Sequence, residues 1–115
     1  MNIFPRKSKK TPGAYYFGEF NDKPPAPFSI SHATFGKDYF GEEPHYHERN
    51  QKVYMTLKGK GILNVNGKDV EMRPDIMIHV EPLEVHYVKS VIKAPFEFVV
   101  VLSSKDNDKK IVKKQ

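Results

Sequence analysis

Cysteine is absent from this 115-residue chain. The absence excludes disulfides, thiolate metal ligands and a cysteine nucleophile together, so any bound metal would need nitrogen and oxygen ligands. No apolar run approaches the ~18 residues of a membrane-spanning helix, and the basic N-terminus lacks the apolar core of a signal peptide. We therefore expect a cytoplasmic protein with no membrane partner.

The formal net charge is +5, and much of the excess lies at the two ends. Aromatic residues are not interleaved with the terminal lysines, although a surface that binds single-stranded nucleic acid would need them for stacking. We expect basic, partly flexible termini rather than a nucleic-acid site. The positive charge would favour an anionic small molecule.

Nine prolines and seven glycines divide the chain into short runs rich in β-branched and aromatic residues. No segment keeps an apolar 3.6-residue period, so the pattern predicts an all-β sandwich or small barrel in one domain. Asn66-Gly67 predicts a two-residue hairpin, because both residues accept positive φ. The predicted strands are Ala14-Phe20, Phe28-Phe35, His45-His47, Val53-Leu57, Gly61-Val65, Lys68-Met72, Ile76-Val80, Val85-Val88 and Pro95-Leu102.

Three histidines are the strongest chemical signal. His45 and His47 are one residue apart on a predicted strand, so their imidazoles point to the same side. His86 begins another predicted strand. If the three meet, they can bind a divalent metal such as Zn, Fe, Mn, Ni or Cu. They can equally serve as pocket hydrogen-bonding or acid–base groups without a metal.

The spacing of these residues resembles the cupin superfamily. A first motif runs from Gly41 through His45-Tyr46-His47 to Gly59, and a second runs from Gly67 through Arg73-Pro74-Asp75 to His86. The resemblance implies a cupin-type antiparallel jelly-roll β-barrel, with the barrel core at about residues 28–102 of a single 1–115 domain. It also implies that the three histidines are metal ligands.

The chain departs from the family pattern at the fourth ligand. Where the family has a metal-binding Glu, this sequence has Lys52, with Gln51 beside it. Two unit positive charges 4 Å apart repel by ~4 kcal/mol at an effective dielectric near 20, and a dication would be repelled more. Lys52 could be neutral or point away, Gln51 could replace the Glu, or there is no metal.

Strand alternation leaves the orientation open. If Val53, Met55 and Leu57 face the lumen, Gln51 joins them and completes a ligand set with the three histidines. In the usual family phase the lumen instead receives Lys52, Tyr54 and Thr56, which makes Lys52 and Tyr54 candidate acid–base residues.

We expect a small-molecule enzyme, an isomerase or epimerase of a sugar or keto acid or a dioxygenase, with a histidine-rich divalent-metal site. A non-catalytic sugar- or carboxylate-binding or sensing barrel is an alternative, and so is a metal-free isomerase-like cupin with a pocket histidine as base. Strands that are apolar on both faces predict a homodimer, which would cover the outer face.

Overall fold

The computed structural model describes residues 1–17, 28–104 and 108–112. Within these ranges nine strands form one curled antiparallel sheet, so the all-β prediction is confirmed. The strands are β1 (Arg6–Ser8), β2 (Ala14–Phe17), β3 (Ser29–Phe35), β4 (His45–His47), β5 (Lys52–Val65), β6 (Lys68–Met72), β7 (Met77–Val80), β8 (His86–Leu102) and β9 (Lys109–Ile111). Residues 18–20 of the first predicted strand lie outside the described residues. In the described part of the chain, no helix is long and apolar enough to cross a membrane.

Two long strands, β5 and β8, form the spine of the sheet and pair along most of their lengths. Each was predicted as two shorter strands. Gly59 allows β5 to continue, because its φ of +74° and missing side chain let the backbone pass close to the carbonyls of Lys93 and Pro95. Register shifts at this point bend the pair, which curls the sheet around the core.

The turn between β5 and β6 is the predicted hairpin. Val65 pairs with Lys68, and Asn66 and Gly67 take φ values of +51° and +85°. Both central residues of a type I′ turn need positive φ, which Asn and Gly supply at low cost.

The core lies inside the curl, and burial there shows which side chains of β5 face the lumen. Leu63, Met72 and Phe96 are fully buried. In the first part of β5 the buried side chains are Lys52, Tyr54 and Thr56, whereas Met55 and Leu57 are exposed. The alternative in which Val53, Met55 and Leu57 face the lumen is therefore wrong.

Both ends of the chain add strands that the sequence did not predict. β1 pairs with β2 near the N-terminus. β9 pairs with β4, aligning His45 with Ile111 and His47 with Lys109. β9 brings part of the C-terminal segment beside the histidines.

Candidate functional site: a lysine among three histidines

Strand pairing brings the three histidines together. His45 and His47 alternate inward on β4, and His45 is aligned with His86 across the β4–β8 pair. All three are buried, with ligand nitrogens within 4.8 Å of one another. The sequence predicted this convergence, and three buried imidazoles this close together could hold a metal ion.

Hydrogen bonds fix the tautomer of each imidazole. The Nδ1 atoms of His45 and His86 lie 2.9 Å from the carbonyl oxygens of Glu43 and Glu84. A carbonyl only accepts, so each Nδ1 carries the proton and donates it. Each Nε2 is then left with a lone pair directed into the cluster.

Asp108 fixes the tautomer of His47. It was not among the site residues predicted from the sequence. Its Oδ1 lies 2.8 Å from His47 Nδ1, and Oδ2 accepts from the backbone N–H groups of Arg49 and Asn50. Burial opposes ionisation, but hydrogen bonds from Asn50, Arg49 and His47 hold the pKa of Asp108 well below its usual range. Asp108 is therefore a carboxylate, and His47 donates to it through Nδ1. Nothing in the local pattern marks it, because it contacts the histidine only through the pairing of β9 with β4.

Lys52 lies between two of the imidazoles. Its Nζ is 3.2 Å from His45 Nε2 and 3.1 Å from His86 Nε2. Since both Nε2 atoms carry lone pairs, the Lys52 amine donates to both. Lys52 thus points into the site. Strand alternation had left open whether Lys52 or Gln51 would face the lumen.

The cluster titrates abnormally because it is buried. Burial lowers the pKa of Lys52 to about 8, opposed by Glu42 and reinforced by Lys109. Burial and then the Lys52 charge lower the pKa of His86 to about 3, and the same two causes lower that of His45 strongly. At neutral pH both imidazoles are uncharged acceptors, and most of the Lys52 amine is protonated.

A divalent metal does not fit the cluster while Lys52 is in place. The three Nε2 lone pairs suit a metal, but Lys52 already uses two of them. Among the described residues, the group of possible ligands contains no carboxylate to offset the lysine charge. The nearby Glu42 carboxylate accepts from the backbone N–H of Val88 at 2.8 Å.

Gln51 lies outside the cluster. Its side chain is on the exposed face, where Oε1 is 2.6 Å from Nε2 of His79. The predicted ligand set of three histidines with Gln51 is therefore not brought together.

Tyr54 points inward beside Lys52. The Lys52 Nζ lies 5.0 Å from the centre of the Tyr54 ring, within range of a cation–π contact. Burial raises the pKa of the Tyr54 phenol well above its usual value. The phenol therefore keeps its proton and cannot act as a base near neutral pH.

A cavity of about 650 Å³ opens over the cluster. This volume is in the range of small-molecule sites. His45 and His47 line it, and its charged lining residues are three lysines and two glutamates: Lys9, Lys52, Lys109, Glu42 and Glu43. The lysines leave a small excess of positive charge, which favours an anionic occupant.

The sequence model of the cupin domain matches residues 32–102. This chain belongs to the cupin family. The family resemblance and the cupin-type barrel predicted from the motifs are thus confirmed.

Three solved structures illustrate what this cupin is similar to. Pac13 from Streptomyces, described as a nucleoside dehydratase, is 19% identical, with a TM-score of 0.65 over 96% of this chain and 85% of that chain. The polyketide cyclase RemF from Streptomyces resistomycificus is 16% identical, with a TM-score of 0.68 over 97% and 82%. KdgF from Halomonas sp. is 13% identical, with a TM-score of 0.71 over 94% and 97%. At these identities the likeness concerns the fold. No curated protein matches the chain.

Proposed function

We propose that this cupin is an enzyme that transfers protons on a small, anionic oxygenated compound, such as a keto acid or an acidic sugar, as an isomerase or epimerase. The observation that carries the proposal is the Lys52 amine at the cavity wall, held by two neutral imidazoles. An acid–base group works best when its pKa lies near the working pH, and burial brings that of Lys52 to about 8. The enzyme names of Pac13 and RemF support catalysis in general.

In this proposal each residue has a limited role. Lys52 takes a proton from carbon next to a carbonyl and returns it, while His45 and His86 hold the amine in position through their Nε2 atoms. Tyr54 keeps its phenol proton and donates a hydrogen bond to a substrate oxygen. Lys9 and Lys109 attract the anionic part of the substrate at the cavity wall.

Solvent deuterium incorporation tests the proposal. Keto acids and sugar acids incubated with the protein in D₂O should gain deuterium next to the carbonyl, detected by mass spectrometry and NMR. Lys52→Ala should abolish the exchange, whereas His79→Ala, a change of an exposed histidine, should leave it intact. A compound that binds saturably but never exchanges would contradict the proposal and favour the sensing barrel.

A second candidate is a metal-dependent isomerase or dioxygenase. Three fixed Nε2 lone pairs within 4.8 Å favour it, and Zn, Fe, Mn, Ni or Cu would suit such ligands. That candidate requires Lys52 to leave the cluster. Metal content of untagged protein separates the two candidates.

We also propose that the protein is a homodimer. Met55, Leu57 and Met77 are exposed on the outer face of the sheet, where a second copy would cover them. Location in the cytoplasm stays a prediction from the sequence.

A further inference from the structure

We propose that Lys52 occupies the place of the metal ion, so that the three histidines form a latent metal site that the lysine keeps closed. The proposal concerns metal binding alone and holds whether or not the protein is an enzyme. It predicts that changing one residue opens the site.

The first support is the state of the three acceptors. Each imidazole is anchored through Nδ1, by Glu43, Glu84 or Asp108, as metal-binding histidines usually are. The proton position that this anchoring imposes leaves Nε2 as the ligand atom. The site therefore has the anchoring that a metal centre needs, without having a carboxylate ligand.

The second support is the hydrogen bonding of the three Nε2 atoms. Lys52 Nζ donates to the Nε2 atoms of His45 and His86, at 3.2 and 3.1 Å. The Nε2 of His47 is buried and, within the described chain, has no hydrogen-bond partner. A buried acceptor without a partner is costly and therefore uncommon. The unpaired Nε2 of His47 lies beside two Nε2 atoms that accept from Lys52. We infer that the three atoms form one ligand set, of which the lysine satisfies two.

The third support is space and charge. A metal–imidazole bond is about 2.0–2.1 Å long, so an ion shared by His45 and His86 would have to use the two lone pairs that Lys52 uses. The lysine ammonium would also repel the ion. Lys52→Glu removes both obstacles, because it withdraws the amine and places a carboxylate, which is a metal ligand, beside the three imidazoles.

A cobalt titration tests the proposal on untagged protein. Co²⁺ bound to nitrogen and oxygen ligands gives visible absorption bands that report binding without any substrate. We expect no saturable band for the wild type. Lys52→Glu should bind one Co²⁺ per chain at least about a thousandfold more tightly, as the removed repulsion implies. Adding His47→Ala to Lys52→Glu should abolish the band.

Lys58→Glu is the matched control, because Lys58 is exposed on the same strand and the charge change is identical. This variant should behave like the wild type, which shows that net charge alone does not create the site. If it gains the band, the proposal is wrong. Stoichiometric binding by the wild type, as tight as that of Lys52→Glu, would also overturn it.

Lys52→Ala guards against a folding failure of the Glu variant. It removes the amine with most of its alkyl chain and adds no carboxylate, so the three histidines should bind Co²⁺ saturably, though more weakly than in Lys52→Glu. A folded Lys52→Ala protein, checked by circular dichroism, that binds no Co²⁺ would overturn the proposal.

Discussion

At the scale of single residues, Lys52 gives stability an unusual pH dependence. Its pKa falls from 10.5 to about 8 because folding buries it. Between these values the unfolded chain binds more protons than the folded one, so the free energy of unfolding rises with pH. The burial penalty is present in full below pH 8 and disappears as the pH passes 10.5.

We therefore predict that Lys52→Met removes this rise. We would measure urea unfolding between about pH 8 and pH 10. The free energy of unfolding of the wild type should rise relative to that of Lys52→Met by roughly 1.4 kcal/mol for each pH unit in this interval. The buried tyrosines are common to both proteins and cancel in the difference. Parallel pH profiles would contradict the prediction, and Lys58→Met, a change of an exposed lysine on β5, should follow the wild type.

Asp108 is the second residue with a predicted effect. Its carboxylate accepts from His47, from Asn50 Nδ2 and from two backbone N–H groups. Asp108→Asn must turn an amide N–H₂ toward one of these donors, so we expect a loss of about 2–4 kcal/mol in the free energy of unfolding. The measurement is chemical denaturation.

Asp69→Asn is the control for Asp108→Asn. Asp69 is also hydrogen-bonded, to Asn64 and Lys89, but it is exposed. An exposed pair contributes little, so this change should have a small effect. Equal losses in the two variants would show that Asp108 does not hold the site together.

At the scale of elements, the sequence predicted what local chemistry decides. Asn66-Gly67 predicted its hairpin, and the spacing of the three histidines indicated that their side chains could converge. Alternation alone could not choose the inward phase of β5, because both of its faces carry apolar residues, whereas the resemblance to cupins implied the observed phase with Lys52, Tyr54 and Thr56 inward. β9 could not be predicted either, since Lys109 and Lys110 make it polar and only its pairing with β4 makes it a strand.

Gly59 supplies a test of the bend in β5. A Cβ there would clash with the carbonyls of Pro95 and Lys93, whereas a Cβ at Gly67 would meet nothing within 4 Å. Both glycines have positive φ, so each Ala variant loses about 1–2 kcal/mol from backbone strain. Gly59→Ala should lose a further 1–3 kcal/mol or so from the clash, measured by thermal or chemical unfolding. Equal losses would mean that β5 and β8 do not approach closely at this point.

At the scale of the whole molecule, the exposed apolar side chains of the outer face predict association. Met55 and Met77 are aligned across the β5–β7 pair, and Leu57 follows on the same face. Light scattering at micromolar concentration should give the mass of a dimer, and Met55→Lys with Leu57→Lys should give a monomer that keeps its fold. A monomeric wild type would contradict the prediction.

The metal content of the protein decides whether Lys52 takes the place of a metal ion in this cupin. It can be measured by elemental analysis of untagged protein that is purified without a nickel column and without chelators. We expect Zn, Fe, Mn, Ni and Cu contents far below one per chain. One bound metal per chain, lost on His86→Ala, would show that the histidines hold a metal although Lys52 is present.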